Sequence, residues 1–289
     1  MIKSISTYLR MIKFSHTIFA LPFALSAIIL AMREFQVTWQ LIFWIIIAMI
    51  GARSSAMGFN RLIDADFDAA NPRTSNREIP SGHLSIDSVR LFVVIFSCLF
   101  IIAAAMINTL CLILSFPVLA ILLLYSYMKR FTSLSHLYLG FAISLAPMGA
   151  WIAITGTLSL NICLLSIALM MYIAGFDILY ACQDYAFDQT HGLYSMPAKL
   201  GIMPSLIIST VCHIISMVSL FYLGLVFDLG SIFFITFCII GVLFFIEHVL
   251  VTPSQLNKIH IAFFHINSVI STLLFLGIFL DEWINQWIQ

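Results

Sequence analysis

Nine times along its 289 residues the chain runs apolar for about 20 residues, at 14–32, 40–60, 89–107, 109–128, 135–155, 160–181, 202–224, 230–250 and 261–280. A helix rising 1.5 Å per residue needs about that length to cross a hydrocarbon layer of about 30 Å. In lipid only helices and closed barrels satisfy every backbone N–H and C=O, and uninterrupted runs of this length fit helices. The expected fold is therefore all-α, an integral membrane bundle of about nine transmembrane helices in a single domain over 1–289. Composition agrees: 62% of residues are hydrophobic and 9% charged, where a soluble domain carries about 25% charged residues. The 13 basic and 13 acidic residues cancel, so overall charge supports no nucleic-acid partner. Six cysteines without a CxxC pair read as small buried hydrophobes rather than a disulfide or zinc framework.

Basic residues set the orientation. With the N-terminus inside, Lys3, Arg10, Lys13, Arg53, Arg61, Arg73, Arg77, Arg90, Lys129, Arg130, Lys199 and Lys258 share one side, and Arg33 alone lies on the other. The positive-inside rule makes the crowded side cytoplasmic, with a bacterial-type inner membrane as the expected location. Connections on the opposite side, such as 107–109 and 155–157, are too short to carry a site. Two segments on the cytoplasmic side, 60–88 and 177–201, are conspicuously polar. They contain a weak repeat: Asp64-Ala65-Asp66-Phe67-Asp68 matches Asp184-Tyr185-Ala186-Phe187-Asp188 at an offset of 120 residues and four spans. The repeat points to two pseudo-repeated four-helix halves plus a ninth helix.

Asn60, Asp64 and Asp68 are spaced i, i+4, i+8, so on a helix they project from one face while Asp66 points elsewhere. Asp184 and Asp188 repeat the spacing, and Asp177 precedes Asp184 by seven residues on nearly the same face. Aspartates within a span cost about 2.5–3.5 kcal/mol each to insert, so these must face a protein-lined cavity or its aqueous mouth. Hard carboxylate oxygens suit Mg²⁺, which takes one or two carboxylates and completes its shell with water and phosphate oxygens. A metal and diphosphate site is expected, with Arg61, Arg73, Arg77, Lys129, Arg130 and Lys199 on the same face to balance charge. A secondary transporter using the acids for ion coupling, or a structural subunit, are the alternatives from other classes.

The run Asn60-Arg61-Leu62-Ile63-Asp64-Ala65-Asp66-Phe67-Asp68, continuing through Arg73 and Arg77 to Gly82, resembles the first aspartate-rich motif (NxxxDxxxD) of the UbiA family of intramembrane prenyltransferases. Gln183-Asp184-Tyr185-Ala186-Phe187-Asp188, followed by Gly192 and Ser195 to Gly201, resembles the second (DxxxD), and Tyr125 to Thr132 resembles the family's loop after the fourth helix. The resemblance covers nearly the whole chain. It implies Mg²⁺-dependent transfer of a polyprenyl group from polyprenyl diphosphate to an aromatic hydroxy acid in quinone biosynthesis. The positions matched by Asn60, Asp64, Asp68, Asp184 and Asp188 hold Mg²⁺ and diphosphate, Arg61, Lys129, Arg130 and Lys199 are candidates for substrate contact, and Arg53 and Asp177 lie deeper, toward the acceptor. Phe176 to Asp184, with Lys13-Phe14-Ser15-His16-Thr17, is similar to the subgroup assigned to the futalosine route to menaquinone, so 4-hydroxybenzoate and a dihydroxynaphthoate both stand as acceptors. The lipid bilayer is the surrounding partner, and no protein partner is implied.

Water would quench an allylic cation, and the 26 Phe and 13 Met residues offer an apolar path for a prenyl chain. The polar loop 71–82 is placed to cap the site. The histidines, His260 and His265 among them, read as packing or interfacial residues, Trp39, Trp283 and Trp287 as interfacial anchors, and Pro22, Pro117 and Pro147 as kinks.

Overall fold

The computed structural model describes residues 2–253, 256, 259 and 261–288, with side chains described except at 2–4, 261–263 and 285–288. Lys258 and His260 lie outside the described residues, as do the side chains of Lys3 and Trp287. Among the described residues nine helical segments are long and apolar enough to cross a membrane, and no strand occurs. The all-α membrane architecture is thus the observed one. The chain packs as two compact units, Met1–Thr17 with Thr38–Tyr127, and Ile18–Val37 with Met128–Gln289.

The first unit contains α1 (Ile2–Met11), α3 (Trp39–Ile63), α4 (Ala65–Ala70), α5 (Ile86–Ile107) and α6 (Thr109–Met128). Within a membrane, helices associate through close backbone approach and hydroxyl bridges more than through apolar burial, because lipid is as apolar as leucine. The pair α3 and α5 uses both. A Cβ on Gly51 would stand 2.8 Å from the backbone nitrogen of Phe100, and the Ser55 and Ser97 hydroxyls share a 2.6 Å hydrogen bond. Thr38 and Ser85 cap the two helices by accepting from Leu41 and Ser88 backbone N–H groups, each worth about 1 kcal/mol. At the end of α1, Met11 and Ile12 pack on Leu84 and Val89.

The second unit contains α2 (Leu21–Ala31), α7 (Ser135–Thr155), α8 (Leu160–Ala181), α9 (Tyr185–Thr190), α10 (Met196–Leu200), α11 (Ile202–Val226), α12 (Ser231–Leu250) and α13 (Asn267–Ile288). Helix α8 is its core and packs chiefly on α7 and α11. A Cβ on Gly140 of α7 would meet the Met170 carbonyl oxygen at 2.2 Å, while Ser209 and Ser216 of α11 donate to the Gly175 and Ala168 carbonyls at 2.7 and 2.9 Å. At the end of this unit opposite Asp184, Arg33 pairs with Glu282 and donates to the Phe227 carbonyl. Beside it, Asp281 caps α12 by accepting from Gly230 N at 2.6 Å. Arg33 is therefore neutralised locally.

Two local expectations need adjustment. The first span begins as a 3₁₀ turn, Phe14–Phe19, and Pro22 sits in the first turn of α2. There its missing N–H costs nothing, so Pro22 starts a helix rather than kinking one. Pro117 and Pro147 do lie inside α6 and α7. Two histidines of the bundle pack against each other: His213 Nδ1 lies 2.9 Å from His248 Nε2. Next to this pair, buried Glu247 accepts from Asn267 Nδ2 at 2.7 Å.

Candidate active site

The first acidic motif straddles a break. Asn60 and Arg61 occupy the last turn of α3, Asp64 leaves helical geometry at φ −91°, ψ 5°, and α4 resumes at Ala65. The expected straight stripe therefore bends at Asp64, although Asp64 N still donates to Asn60 O at 2.9 Å and Asp68 N to Asp64 O at 2.7 Å. Asn60 Nδ2 donates to Asp64 Oδ2 at 2.8 Å, fixing that carboxylate across the break. Asp66 is exposed, as its place in the spacing requires.

Asp68 is buried, and both of its oxygens accept from Arg77 Nη1, at 2.6 and 2.8 Å. Arg61 Nη1 stands 4.0 Å from Oδ2. The loop after α4 delivers Arg77 through local turn chemistry. Asn71 Oδ1 accepts from Arg73 N at 2.9 Å, Thr74 Oγ1 donates back to the Asp68 carbonyl at 3.1 Å, and Arg77 N donates to Thr74 O at 2.9 Å. Two arginines also anchor the N-terminal segment: Arg61 Nε donates to Met11 O at 3.1 Å and Arg53 Nη2 to Lys13 O at 3.0 Å. Lys13 has φ 48°, a left-handed turn held by that contact. Its ammonium is held below the ordinary lysine value, first by partial loss of hydration and then by the Arg61 and Arg77 charges.

The second motif repeats the geometry. Helix α8 ends at Ala181, a 3₁₀ turn spans Cys182–Asp184, and α9 resumes at Tyr185, with Asp184 at φ −95°, ψ 8°. Asp184 and Asp188 are both buried. The Lys129 ammonium lies 3.6 Å from Asp188 Oδ2, an oxygen that has no hydrogen-bond partner. Leu193 N donates to the Asp188 carbonyl at 2.8 Å and Tyr194 N to the Lys129 carbonyl at 2.7 Å, stitching the following loop to both residues. Arg130 is half-buried in the turn after α6. Lys199 places its ammonium 4.0 Å over the Tyr194 ring, a cation–π contact.

Asp177, one of the deeper acids, bonds through Oδ2 to His136 Nδ1 at 2.7 Å. Sequence reasoning passed over His136, because no motif links it to an acid 41 positions away. It noted Arg77 as one cation among several without singling it out as the partner of Asp68. Among the described residues no three His, Cys, Asp or Glu side chains are gathered into a ready-made metal cage. The donors present are hard oxygens arranged in pairs, and the buried, unbonded Asp188 Oδ2 is the kind of group a divalent cation satisfies.

The model of the UbiA prenyltransferase family matches residues 20–269. The chain belongs to that family. Among relatives of this UbiA prenyltransferase, the 4-hydroxybenzoate octaprenyltransferase of Vibrio parahaemolyticus is 27% identical over 247 residues, covering 85% of this chain and 86% of that one. The apo structure of a UbiA homolog from Aeropyrum pernix K1 superposes with a TM-score of 0.83 at 30% identity, covering 92% of this chain and 98% of that one. A UbiA homolog from Archaeoglobus fulgidus, bound to DMAPP and Mg²⁺, superposes with a TM-score of 0.65 at 18% identity over 94% of this chain and 99% of that one. The fold is thus that of the UbiA prenyltransferases.

Proposed function

We propose that the protein transfers a polyprenyl group from polyprenyl diphosphate to 4-hydroxybenzoate or a dihydroxynaphthoate in ubiquinone or menaquinone biosynthesis. The observation that carries this reading is Asp188, buried within a membrane-spanning chain with one oxygen unbonded and an ammonium 3.6 Å away. So costly an arrangement is retained where a polyanion and its metal complete it. The residues assigned to Mg²⁺ are Asn60, Asp64 and Asp68 in the first motif and Asp184 and Asp188 in the second. When bound there, Mg²⁺ supplies neutralisation of the charge that develops on the departing diphosphate.

Arg61, Arg73 and Arg77, whose charges add to burial in holding the Lys13 ammonium below its ordinary value, are assigned to the phosphate oxygens together with Lys129, Arg130 and Lys199. As the allylic C–O bond breaks, its electron pair leaves with the diphosphate, and these cations hold the product anion while the hydroxyl-activated ring attacks the allylic carbon; the proton on the attacked ring carbon then leaves as H⁺ and aromaticity returns. Arg53 has a buried Nε without a hydrogen-bond partner, suited to the acceptor's carboxylate. Asp177 is assigned to the acceptor's hydroxyl, whose O–H donates to the carboxylate and so enriches the ring. The apolar interior keeps water from the cation.

We assign the motif ends of the helices to the cytoplasmic face of a bacterial-type inner membrane, on the distribution of basic residues and the local pairing of Arg33. The single domain is assigned a pseudo-repeat of two four-helix halves plus a ninth helix, supported by the matching backbone at Asp64 and Asp184. The test is direct: purified protein in liposomes, Mg²⁺, a long polyprenyl diphosphate and either acceptor, with products identified by mass spectrometry. Prenylated acceptor that disappears with chelator and with Asp64→Ala is expected. Absence of product from either acceptor, with the folded state verified, would overturn the reading.

A further inference from the structure

His136 is the second residue of α7 and its side chain is 1% exposed. Its two ring nitrogens have different partners. Nε2 faces the backbone N–H of Met196 at 3.3 Å, and Nδ1 faces Asp177 Oδ2 at 2.7 Å. An amide N–H can only donate, so Nε2 is the acceptor nitrogen, and the neutral ring carries its proton on Nδ1, where it is donated to the carboxylate. The tautomer is thus set by a backbone group that cannot reverse its role.

Met196 belongs to a segment that makes several such contacts in sequence. Leu193 N donates to the Asp188 carbonyl, Tyr194 N to the Lys129 carbonyl, and Met196 N to His136. Ser195 Oγ, itself buried, accepts from Ala198 N at 3.3 Å and fixes the start of α10. One short stretch of backbone therefore ties together Asp188, its partner Lys129 from the turn after α6, and the imidazole that grips Asp177.

We propose that His136 is a positioning residue for the acceptor half of the reaction. By donating Nδ1–H to Asp177 Oδ2 it holds that carboxylate in one orientation, leaving Oδ1 to accept from the acceptor's hydroxyl. Met196 N, by donating to Nε2, keeps the ring in the tautomer that can do so. This inference rests on the prenyl-transfer reading given above. A tether that merely fastened the loop to α7 would depend on Nε2 alone, whereas a positioning residue depends on Nδ1–H. The two roles separate by substitution, because an Asn side-chain amide reaches about where Nδ1 stands and a Gln amide about where Nε2 stands.

The experiment compares His136→Asn, His136→Gln and His136→Ala with wild type, varying each substrate in turn at saturation of the other, with Mg²⁺-dependent binding of polyprenyl diphosphate as the control for intact structure. His136→Ala and His136→Gln are expected to lower kcat/KM for the aromatic acceptor by about 10- to 100-fold, the scale of one hydrogen bond to a charged group. His136→Asn is expected to stay within about 5-fold of wild type, and the KM for polyprenyl diphosphate within about 3-fold in all three. In an Asp177→Asn background, His136→Ala is expected to add little, since the group it orients is already changed. An active Gln variant with an inactive Asn variant would overturn the proposal in favour of a loop tether. Equal loss toward both substrates would overturn it in favour of a general packing role. Unchanged kinetics in His136→Ala would overturn it while leaving prenyl transfer standing, whereas a wild-type protein that prenylates neither acceptor would remove the underlying reading as well.

Discussion

At Asp64 and at Asp184 the chain leaves helical geometry at nearly the same dihedrals, −91°, 5° and −95°, 8°, and each break is followed by a six-residue helix that ends two residues beyond the motif's last aspartate. The last carboxylates of the two motifs are nevertheless held differently. Asp68 gives both oxygens to Arg77 and has Arg61 at 4.0 Å, while Asp188 has Lys129 at 3.6 Å and an oxygen without a hydrogen bond. One motif is neutralised within its own segment and the other is left partly open. On the proposed function, the open carboxylate is the one ready for a cation. On the same proposal, Asp68 becomes available as Arg77 exchanges it for phosphate oxygens, which would couple substrate arrival to release of the acid.

The strongest test of this contrast removes each carboxylate. Asp188→Asn is expected to lower kcat/KM for prenyl transfer by about 1,000-fold and Asp68→Asn by about 100-fold, read from initial rates of product formation. Equal losses would erase the distinction between an open and a guarded acid.

Removing the cations should reverse the ranking in stability. Arg77→Met leaves a buried carboxylate without its two hydrogen bonds and is expected to cost about 3 kcal/mol, visible as a lower Tm in detergent. Lys129→Met, which removes a half-exposed ammonium, is expected to cost about 1 kcal/mol or less. Arg77→Lys should recover little, because an ammonium cannot reproduce the guanidinium's planar fork.

Titration with Mg²⁺ gives a finer reading. Chelation should stop turnover, and the Mg²⁺ concentration for half-maximal rate should rise about tenfold in Asp188→Asn but fall or stay unchanged in Arg77→Met, where Asp68 is set free. Smallest of all is the effect at the start of the first motif. Asn60→Ala deletes the 2.8 Å bond to Asp64 and should cost about fivefold in rate.

Much of this architecture could be read along the chain. The borders of 109–128, 135–155 and 160–181 agree with the observed helices to the residue, since a run of apolar residues that long has one stable outcome in lipid. The acids at 60, 64 and 68 and at 177, 184 and 188 were legible from spacing, but the helix break at Asp64 was not. A short helix following a bend keeps the same i to i+4 hydrogen bonds across the joint, so periodicity looks the same with or without it. Pro22 was misread for a related reason: proline restricts φ wherever it stands, and whether that begins a helix or kinks one depends on where the preceding turn ends.

Hydrophobic pattern and charge placement therefore settled the nine spans seen among the described residues and the polar clusters that follow two of them, because only long apolar runs cross lipid and unpaired charge is kept out of it; the short helices α4, α9 and α10 left no such signal. Pairing needed the folded chain. Arg77 meets Asp68 because Asn71 and Thr74 turn the loop back, Lys129 meets Asp188 from a different span, and His136 meets Asp177 across two helices packed at Gly140. Several cations were equally close in composition and side. Only the path of the backbone decided which stood within hydrogen-bond distance, and a charge-assisted bond loses most of its strength within an ångström or two of separation.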